Sequence, residues 1–315
     1  RSMNISVVIC AHNPDLKRLG RVFDALRAQR LPLNAWECLL VDNASTPGLA
    51  GQVSLAWHPN AACLYEGNLG LTWARMRGVA SAKGDILVFV DDDCLLEPDY
   101  LQAVQDTFQA HPFLGALGGY GQAEYETKPP AWSNELTRVF HLDMPAPTSA
   151  DSLIYARVRQ LGPWFPVGAG MAVRRELAVR YAASIAADPV ALALDRSGSQ
   201  LTGGGDTDLG MFAIDHGAAI GKSGAMRFTH VVPAFRLELG YMLRLLYMSQ
   251  YSVARLLVHR GWKPAVAASA PSVCQKVKRV AGRLRRYSPE DRCWQAYLQG
   301  FADGSQGVEP DSRFT

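Results

Sequence analysis

Three consecutive aspartates, Asp91-Asp92-Asp93, stand directly behind the apolar run at residues 86–90. Carboxylates this close repel one another unless a cation sits among them. Hard oxygen ligands of this kind suit Mg²⁺ or Mn²⁺, which commonly bridge one or two carboxylates to the phosphates of a substrate. The plain alternative is an acidic turn that ends a strand. Two further polar groups close apolar runs: Ala11-His12-Asn13 after residues 5–10, and Asp42-Asn43 after residues 38–41. In an open parallel sheet, ligands bind outside the carboxyl ends of the strands, so these three groups belong on one edge. A fourth group, Gly203-Gly204-Gly205-Asp206-Thr207-Asp208, opens a helical stretch. A carboxylate carried there on a glycine-rich approach can take a proton from a nearby hydroxyl. Asp206 or Asp208 could equally do no more than cap the helix.

Competing motifs fail on their spacing. A phosphatase of the haloacid-dehalogenase type wants Thr or Val two residues after its second Asp, and Leu95 stands there. Gly217 precedes Gly221-Lys222-Ser223 by one residue too few for a phosphate-binding P-loop. Gly168-Ala169-Gly170 lacks the third glycine of a dinucleotide fingerprint, since Val173 occupies its place.

The elements that must position these groups follow from periodicity. Residues 5–10, 38–41 and 86–90 are short apolar runs fit for buried parallel strands. Between them, residues 16–29 and 69–81 carry apolar side chains at helical spacing. Strands alternating with helices at this pitch predict an α/β fold with a mainly parallel sheet and crossover helices. A helix over 100–110 and a strand near 114–117 come next. Residues 118–166, punctuated by six prolines, read as long loops over one sheet edge, where specificity is often carried. Structure resumes over 167–175, a helix runs on to His216, and two more helices span 237–259 and 276–287.

Composition narrows the class. Of 315 residues, 48% are hydrophobic and 19% charged, which fits a packed core and excludes a disordered chain. No apolar stretch approaches the roughly 18 residues of a membrane span. A net charge of +3 does not call for a nucleic-acid partner. The six cysteines contain no C-x-x-C pair, and four lie in or beside apolar runs, as buried reduced thiols of a cytoplasmic protein would. With no basic leader before an apolar run at the N-terminus, a cytoplasmic location is expected. Residues 276–287 form an apolar stripe flanked by Lys276, Lys278, Arg279, Arg283, Arg285 and Arg286. Such a helix can lie peripherally on the inner face of a membrane, or pack as an ordinary solvated helix.

Residues 7–13 and 41–45, Asn68-Leu69-Gly70-Leu71 with Ala74-Arg75 and Gly78, then residues 84–93, 168–176 and 204–209 occur in the order seen in family 2 glycosyltransferases. The sequence resembles that family from about residue 3 to His230. The resemblance implies the GT-A fold, a Rossmann-like nucleotide-diphospho-sugar transferase domain over 3–235 with a helical extension over 236–315. It implies an inverting transfer from a nucleoside-diphosphate sugar, UDP-sugars first among them, to a hydroxyl of a glycan or lipid-linked acceptor. Ala11, Asn13 and Asp42 would then meet the nucleotide, Arg75 the diphosphate, and Asp91 and Asp92 the ribose side of the donor. Asp93, with His230, would hold Mn²⁺ or Mg²⁺, and Asp206 would be the general base. Trp164, Gly170 and Asp208 would border the acceptor, although Trp164 also suits a core. The family usually places Glu before that aspartate; this chain has Gly205. Two other readings remain: a sugar-nucleotide-binding relative without transferase activity, and a nucleotidyltransferase or sugar-nucleotide hydrolase on a similar sheet.

Overall fold

The β-branched run at the N-terminus becomes a central strand because both its faces are covered. The computed structural model describes residues 3–139, 143–263 and 288–314. Strand β1 (Ile5–Ala11) lies between β2 (Trp36–Asn43) and β4 (Ile86–Asp91), parallel to both, and β3 (Ala61–Glu66) adds to the outside of β2. Side chains alternate across this sheet. Val8, Leu39, Leu87 and Phe89 enter one core, while Ile5, Val7, Ile9, Cys38, Leu40, Ile86 and Val88 enter the other. Helices α1 (Leu16–Arg27) and α3 (Tyr100–Ala110) cover the second face, and α2 (Leu71–Ser81) covers the first. Asp15 caps α1 by accepting the backbone N–H groups of Lys17 and Arg18 at 2.9 and 3.0 Å.

Beyond β4 the sheet turns mixed. Strand β8 (Ala172–Arg174) runs antiparallel between β4 and β6 (Leu114–Tyr125). β9 (Ala219–Val232) lies parallel to β6 and also takes β5 (Cys94–Leu96) and β7 (Leu153–Ala156) antiparallel. Part of the stretch expected as loops is therefore ordered: β6 continues to Tyr125, and a short helix α4 (Asn134–Val139) and β7 follow. The glycines of β6 serve close packing. A β-carbon at Gly119 would overlap the Met226 carbonyl, and one at Gly121 would overlap the Phe228 ring. β9, 14 residues long, is likewise a strand that glycines hide from a periodicity search.

Helices α5 (Arg175–Ala186), α6 (Pro189–Ala193), α7 (Gly205–Asp215), α8 (Leu239–His259) and α9 (Pro289–Gln306) complete the first face. α8 and α9 pack onto the same core as α2 and α7, with Met242, Leu245, Leu246, Cys293 and Ala296 buried there. Glycines at 300 and 304 let α9 press against the backbone of Tyr247 and Tyr251 on α8, and Tyr247 Oη donates to Asp303 at 2.6 Å. Among the described residues no helix is long and apolar enough to cross a membrane. The basic stripe at 276–286 lies outside the described residues.

Alanine ordinarily stabilises a helix by about 1 kcal/mol over glycine. A β-carbon at position 300 would overlap the Tyr247 carbonyl. Gly300→Ala is therefore expected to lower stability by about 1–3 kcal/mol, as overpacking does. A thermal melt checks the sign, and a raised Tm would refute the close α8–α9 contact.

Candidate active site

Strands β1 and β4 end side by side, with Cys10 opposite Asp91 in register, so the polar groups behind them open into one cavity. This cavity holds about 500 Å³ and is lined by Ala11, Arg75, Asp91, Asp92, Asp93, Asp206 and His230. Two groups more than a hundred residues apart in the chain thus share one cleft. Leu245, Ser249, Gln250 and Val253 of α8 also face it, so the C-terminal helix is part of the wall.

Each side chain is held there by identifiable geometry. Asp93 and His230 meet because β5 pairs antiparallel with β9, which puts Cys94 opposite His230, while the Val231 N–H donates to the Asp93 carbonyl at 2.9 Å. His230 Nε2 lies 3.7 Å from the Asp93 carboxylate. Asp206 sits in the first turn of α7. Its Oδ2 accepts the Gly168 N–H at 2.8 Å and its Oδ1 the Thr207 N–H at 2.7 Å, so two backbone donors orient the carboxylate. Gly168 lets the Arg75 guanidinium approach: a β-carbon there would overlap its terminal nitrogen and push it aside. Arg75 comes from α2 and lies over Phe89 at 5.6 Å.

Charge is crowded here. Burial pushes the Asp92 carboxyl up to about 7, with Asp93 and Asp91 adding repulsion. Asp91 is also raised, chiefly by burial, against the pull of Arg75. Burial also opposes ionisation of Asp93, but the Arg236 guanidinium beside it outweighs that and holds the carboxyl well below the usual range. Burial disfavours a charged Arg75, yet Asp195, Asp91 and Asp206 together keep it protonated.

Three side chains with metal-ligating atoms cluster at one side of the cavity. Asp93, Cys94 and His230 each offer one ligand atom, all within 4.8 Å of one another. A carboxylate and an imidazole fit Mn²⁺, and the carboxylates alone fit Mg²⁺. Cys94 does not belong to the set: burial pushes its thiol well above the ordinary value, and it bonds to Asp93 as an S–H donor.

Five of the residues predicted for the site stand away from this wall. Asp42 is buried, and its two oxygens accept the Ser45 and Leu49 N–H groups at 3.0 and 2.8 Å, which organises the turn after β2. Its neighbour Asn43 lines the cavity instead. Asn13, at φ 45°, ties the same turn through Ser45 Oγ and the Thr46 N–H. Trp164 packs against the core, and Phe165 beside it faces the cavity. Gly170, at φ 71°, makes room for Tyr100, whose hydroxyl donates to the Gly170 carbonyl at 2.6 Å. Asp208 is 1% exposed and accepts two bonds from Arg260, at 2.6 and 2.7 Å, and one from Tyr181 at 2.9 Å. It fastens α7 to the end of α8.

Sequence reasoning missed Asp195, Arg196 and Arg236, all of which line the cavity. Asp195 is buried, accepts the Thr72 hydroxyl at 2.6 Å and lies 4.0 Å from Arg75. Its neighbour's carbonyl takes the Leu71 N–H at 2.8 Å, one of the donors that the start of α2 leaves open. The signal available was the polar Asp195-Arg196-Ser197-Gly198 group a few residues before the glycine run. Gly205 also acquires a reason: the Asp195 carboxylate fills the space its β-carbon would take. A negative charge therefore stands beside position 205 although residue 205 carries none.

Residues 6–181, more than half of the chain, match the family described as Glycosyl transferase family 2, and the chain belongs to it. Among curated proteins it is 33% identical over 112 residues to the uncharacterized protein y4gI of Sinorhizobium fredii, a match covering 34% of this chain and 12% of that protein. It is 29% identical over 68 residues to a glucosyl-dolichyl phosphate glucuronosyltransferase of Haloferax volcanii, covering 22% of each. It is 30% identical over 101 residues to glycosyltransferase AglE of the same organism, covering 31% of this chain and 33% of AglE. The chain thus spans a third or less of the length of these relatives. Among solved structures, it is similar to that of S. aureus TarS 1-349, at a TM-score of 0.49 and 14% identity, over 96% of this chain and 81% of that one.

The filled space beside Gly205 separates two neighbouring glycines. Gly203 has no neighbour closer than 3.7 Å to an added β-carbon. Gly205→Ala is expected to cost about 1–3 kcal/mol by overpacking, with Gly203→Ala well below that. Denaturant melts of both variants check the difference, and equal losses would contradict it.

Proposed function

We propose that this protein is an inverting, metal-dependent glycosyltransferase that moves a sugar from a nucleoside-diphosphate sugar to an acceptor hydroxyl. The observation that carries the reading is the shared cavity, with the acidic triplet, Arg75 and Asp206 around one space. Membership of the family supports glycosyl transfer as the reaction class.

As the glycosidic bond breaks, negative charge grows on the departing diphosphate. A divalent ion bound through Asp93 and His230 would supply Lewis-acid stabilisation of that charge. Arg75, preorganised and largely shielded from water, adds a fixed positive charge on the same side. Asp206 takes the proton of the acceptor hydroxyl. The freed oxygen attacks the anomeric carbon from the face opposite the diphosphate, whose oxygen leaves with the bonding electron pair. The two N–H groups that orient Asp206 leave lone pairs free, because an ionised carboxylate offers about four acceptor positions. The apolar side chains of Leu245, Val253 and Phe165 narrow the cavity and favour exclusion of water, which would otherwise compete as acceptor. UDP-sugars are the first donors to assay, with glycan or lipid-linked hydroxyls as acceptors. A cytoplasmic protein that touches the membrane peripherally is consistent with this chemistry.

A nucleoside diphosphate with Mn²⁺ is expected to raise Tm by several degrees, and Asp93→Ala to remove most of that rise. Asp206→Asn is expected to cut turnover by at least about a hundredfold, the low end of general-base contributions, with diphosphate binding nearly unchanged. Scanning fluorimetry and a released-diphosphate assay read the two effects. Near-normal turnover in Asp206→Asn would reject it as the base, and no shift with any nucleoside diphosphate would reject the donor class.

A further inference from the structure

One side chain already holds an oxygen of Asp93 and a ring nitrogen of His230, the two residues read above as ligands of a divalent ion. Arg236 lies in the turn that follows β9 and reaches back to the acidic cluster. One of its terminal nitrogens is 3.0 Å from Asp93 Oδ2 and the other is 3.2 Å from His230 Nε2. A guanidinium can only donate. It therefore bonds one of the two Asp93 oxygens and, in the tautomer that carries its proton on Nδ1, the imidazole lone pair of His230; Nδ1 is buried without a partner. A lone pair that accepts an N–H bond cannot bind a metal ion at the same time. Arg236 and a divalent cation are therefore mutually exclusive at His230 Nε2, and at Asp93 they compete as two like charges for one carboxylate.

A second observation says where the guanidinium could go. Arg236 lines the cavity, and its Nε–H is buried with no hydrogen-bond partner. Leaving a buried donor unsatisfied is costly, and for a charged group more so. The pose meets the charge of the triplet but not all of the arginine's own donors. An anion with several oxygens, entering the cavity with its own positive ion, would satisfy both groups at once.

We propose that Arg236 is the resident cation of the donor site: it neutralises Asp93 while the cavity is empty, yields Asp93 and His230 to the divalent ion, and is released to the donor's diphosphate. The inference rests on the metal-dependent reading above and adds an order to it. Metal alone binds weakly because it must displace a paired arginine; metal and diphosphate together bind well because the diphosphate takes the arginine up. The coupling is reciprocal, so metal also strengthens diphosphate binding.

The experiment is a Mn²⁺ titration followed by the EPR signal of free Mn²⁺, with and without UDP, on the unaltered protein, Arg236→Met, Arg236→Lys and Asp93→Ala. Arg236→Met is expected to bind Mn²⁺ alone at least about tenfold more tightly than the unaltered protein, since a positive charge within a few ångströms is gone. The strengthening of Mn²⁺ binding by UDP should shrink in it, and UDP alone should bind more weakly. Arg236→Lys, which keeps the charge but not the two-pronged contact, should fall between and guards against a folding defect in the methionine variant. Asp93→Ala should lose Mn²⁺ binding under all conditions. If the unaltered protein binds Mn²⁺ with UDP while neither Arg236 variant binds Mn²⁺ alone more tightly, the resident-cation role is overturned and the metal-dependent reading survives. If no protein binds Mn²⁺ even with UDP bound, both fall together.

Discussion

Mutual repulsion among the carboxylates behind β4 is the constraint that organises this molecule's carboxyl-end edge. Asp91, Asp92 and Asp93 follow one another without a spacer, and Asp195 and Asp206 face the same cavity. Water is partly excluded there, so each negative charge requires a compensating one nearby. Arg75 and Arg236 supply it: the first among Asp91, Asp195 and Asp206, the second on Asp93. The arrangement leaves a cluster in which positive charge is held in place and further positive charge is welcome. Such a cluster suits a phosphate-bearing substrate that arrives with its own cation.

The fold's contribution is to bring these charges together from distant parts of the chain. Parallel strands deliver the triplet and Ala11 to one edge, and the antiparallel β5–β9 pair delivers His230 to Asp93. The segment from Asp195 to Gly205 is stitched to the start of α2 by Leu71, Thr72 and Ser197. The Arg260–Asp208 pair then fixes α7 against α8, whose other side chains form part of the cavity wall. Breaking that buried pair would disturb Asp206 from behind, although neither partner touches the cleft.

Much of this was legible in the residues. Strands β1, β2 and β4 announce themselves as short apolar runs with polar ends, and Asp93, Arg75 and Asp206 converge as their motif order implies. The start of β6 is legible near 114–117, but its continuation to Tyr125 and the whole of β9 are not, because Gly119, Gly121 and Gly221 are selected by close approach of neighbouring chain and break the hydrophobic alternation. The resemblance implies a nucleotide contact for Asp42; here its oxygens accept backbone N–H groups of the turn it begins, an arrangement set by local conformation that spacing does not reveal. Arg236 carried no signal, and Asp195 only that of a short polar group ahead of the glycine run. Their importance arises only when the chain closes on itself and sets them against Asp93 and Arg75.

The most direct measurement is a crystal structure with a nucleoside diphosphate and Mn²⁺, recorded with anomalous scattering from manganese. The expected result is an anomalous peak between Asp93, His230 and the diphosphate, with the Arg236 guanidinium turned onto phosphate oxygen and the Asp206 carboxylate across the cavity. A nucleotide bound elsewhere, or a manganese peak remote from Asp93 while Arg236 still holds that carboxylate, would contradict the account.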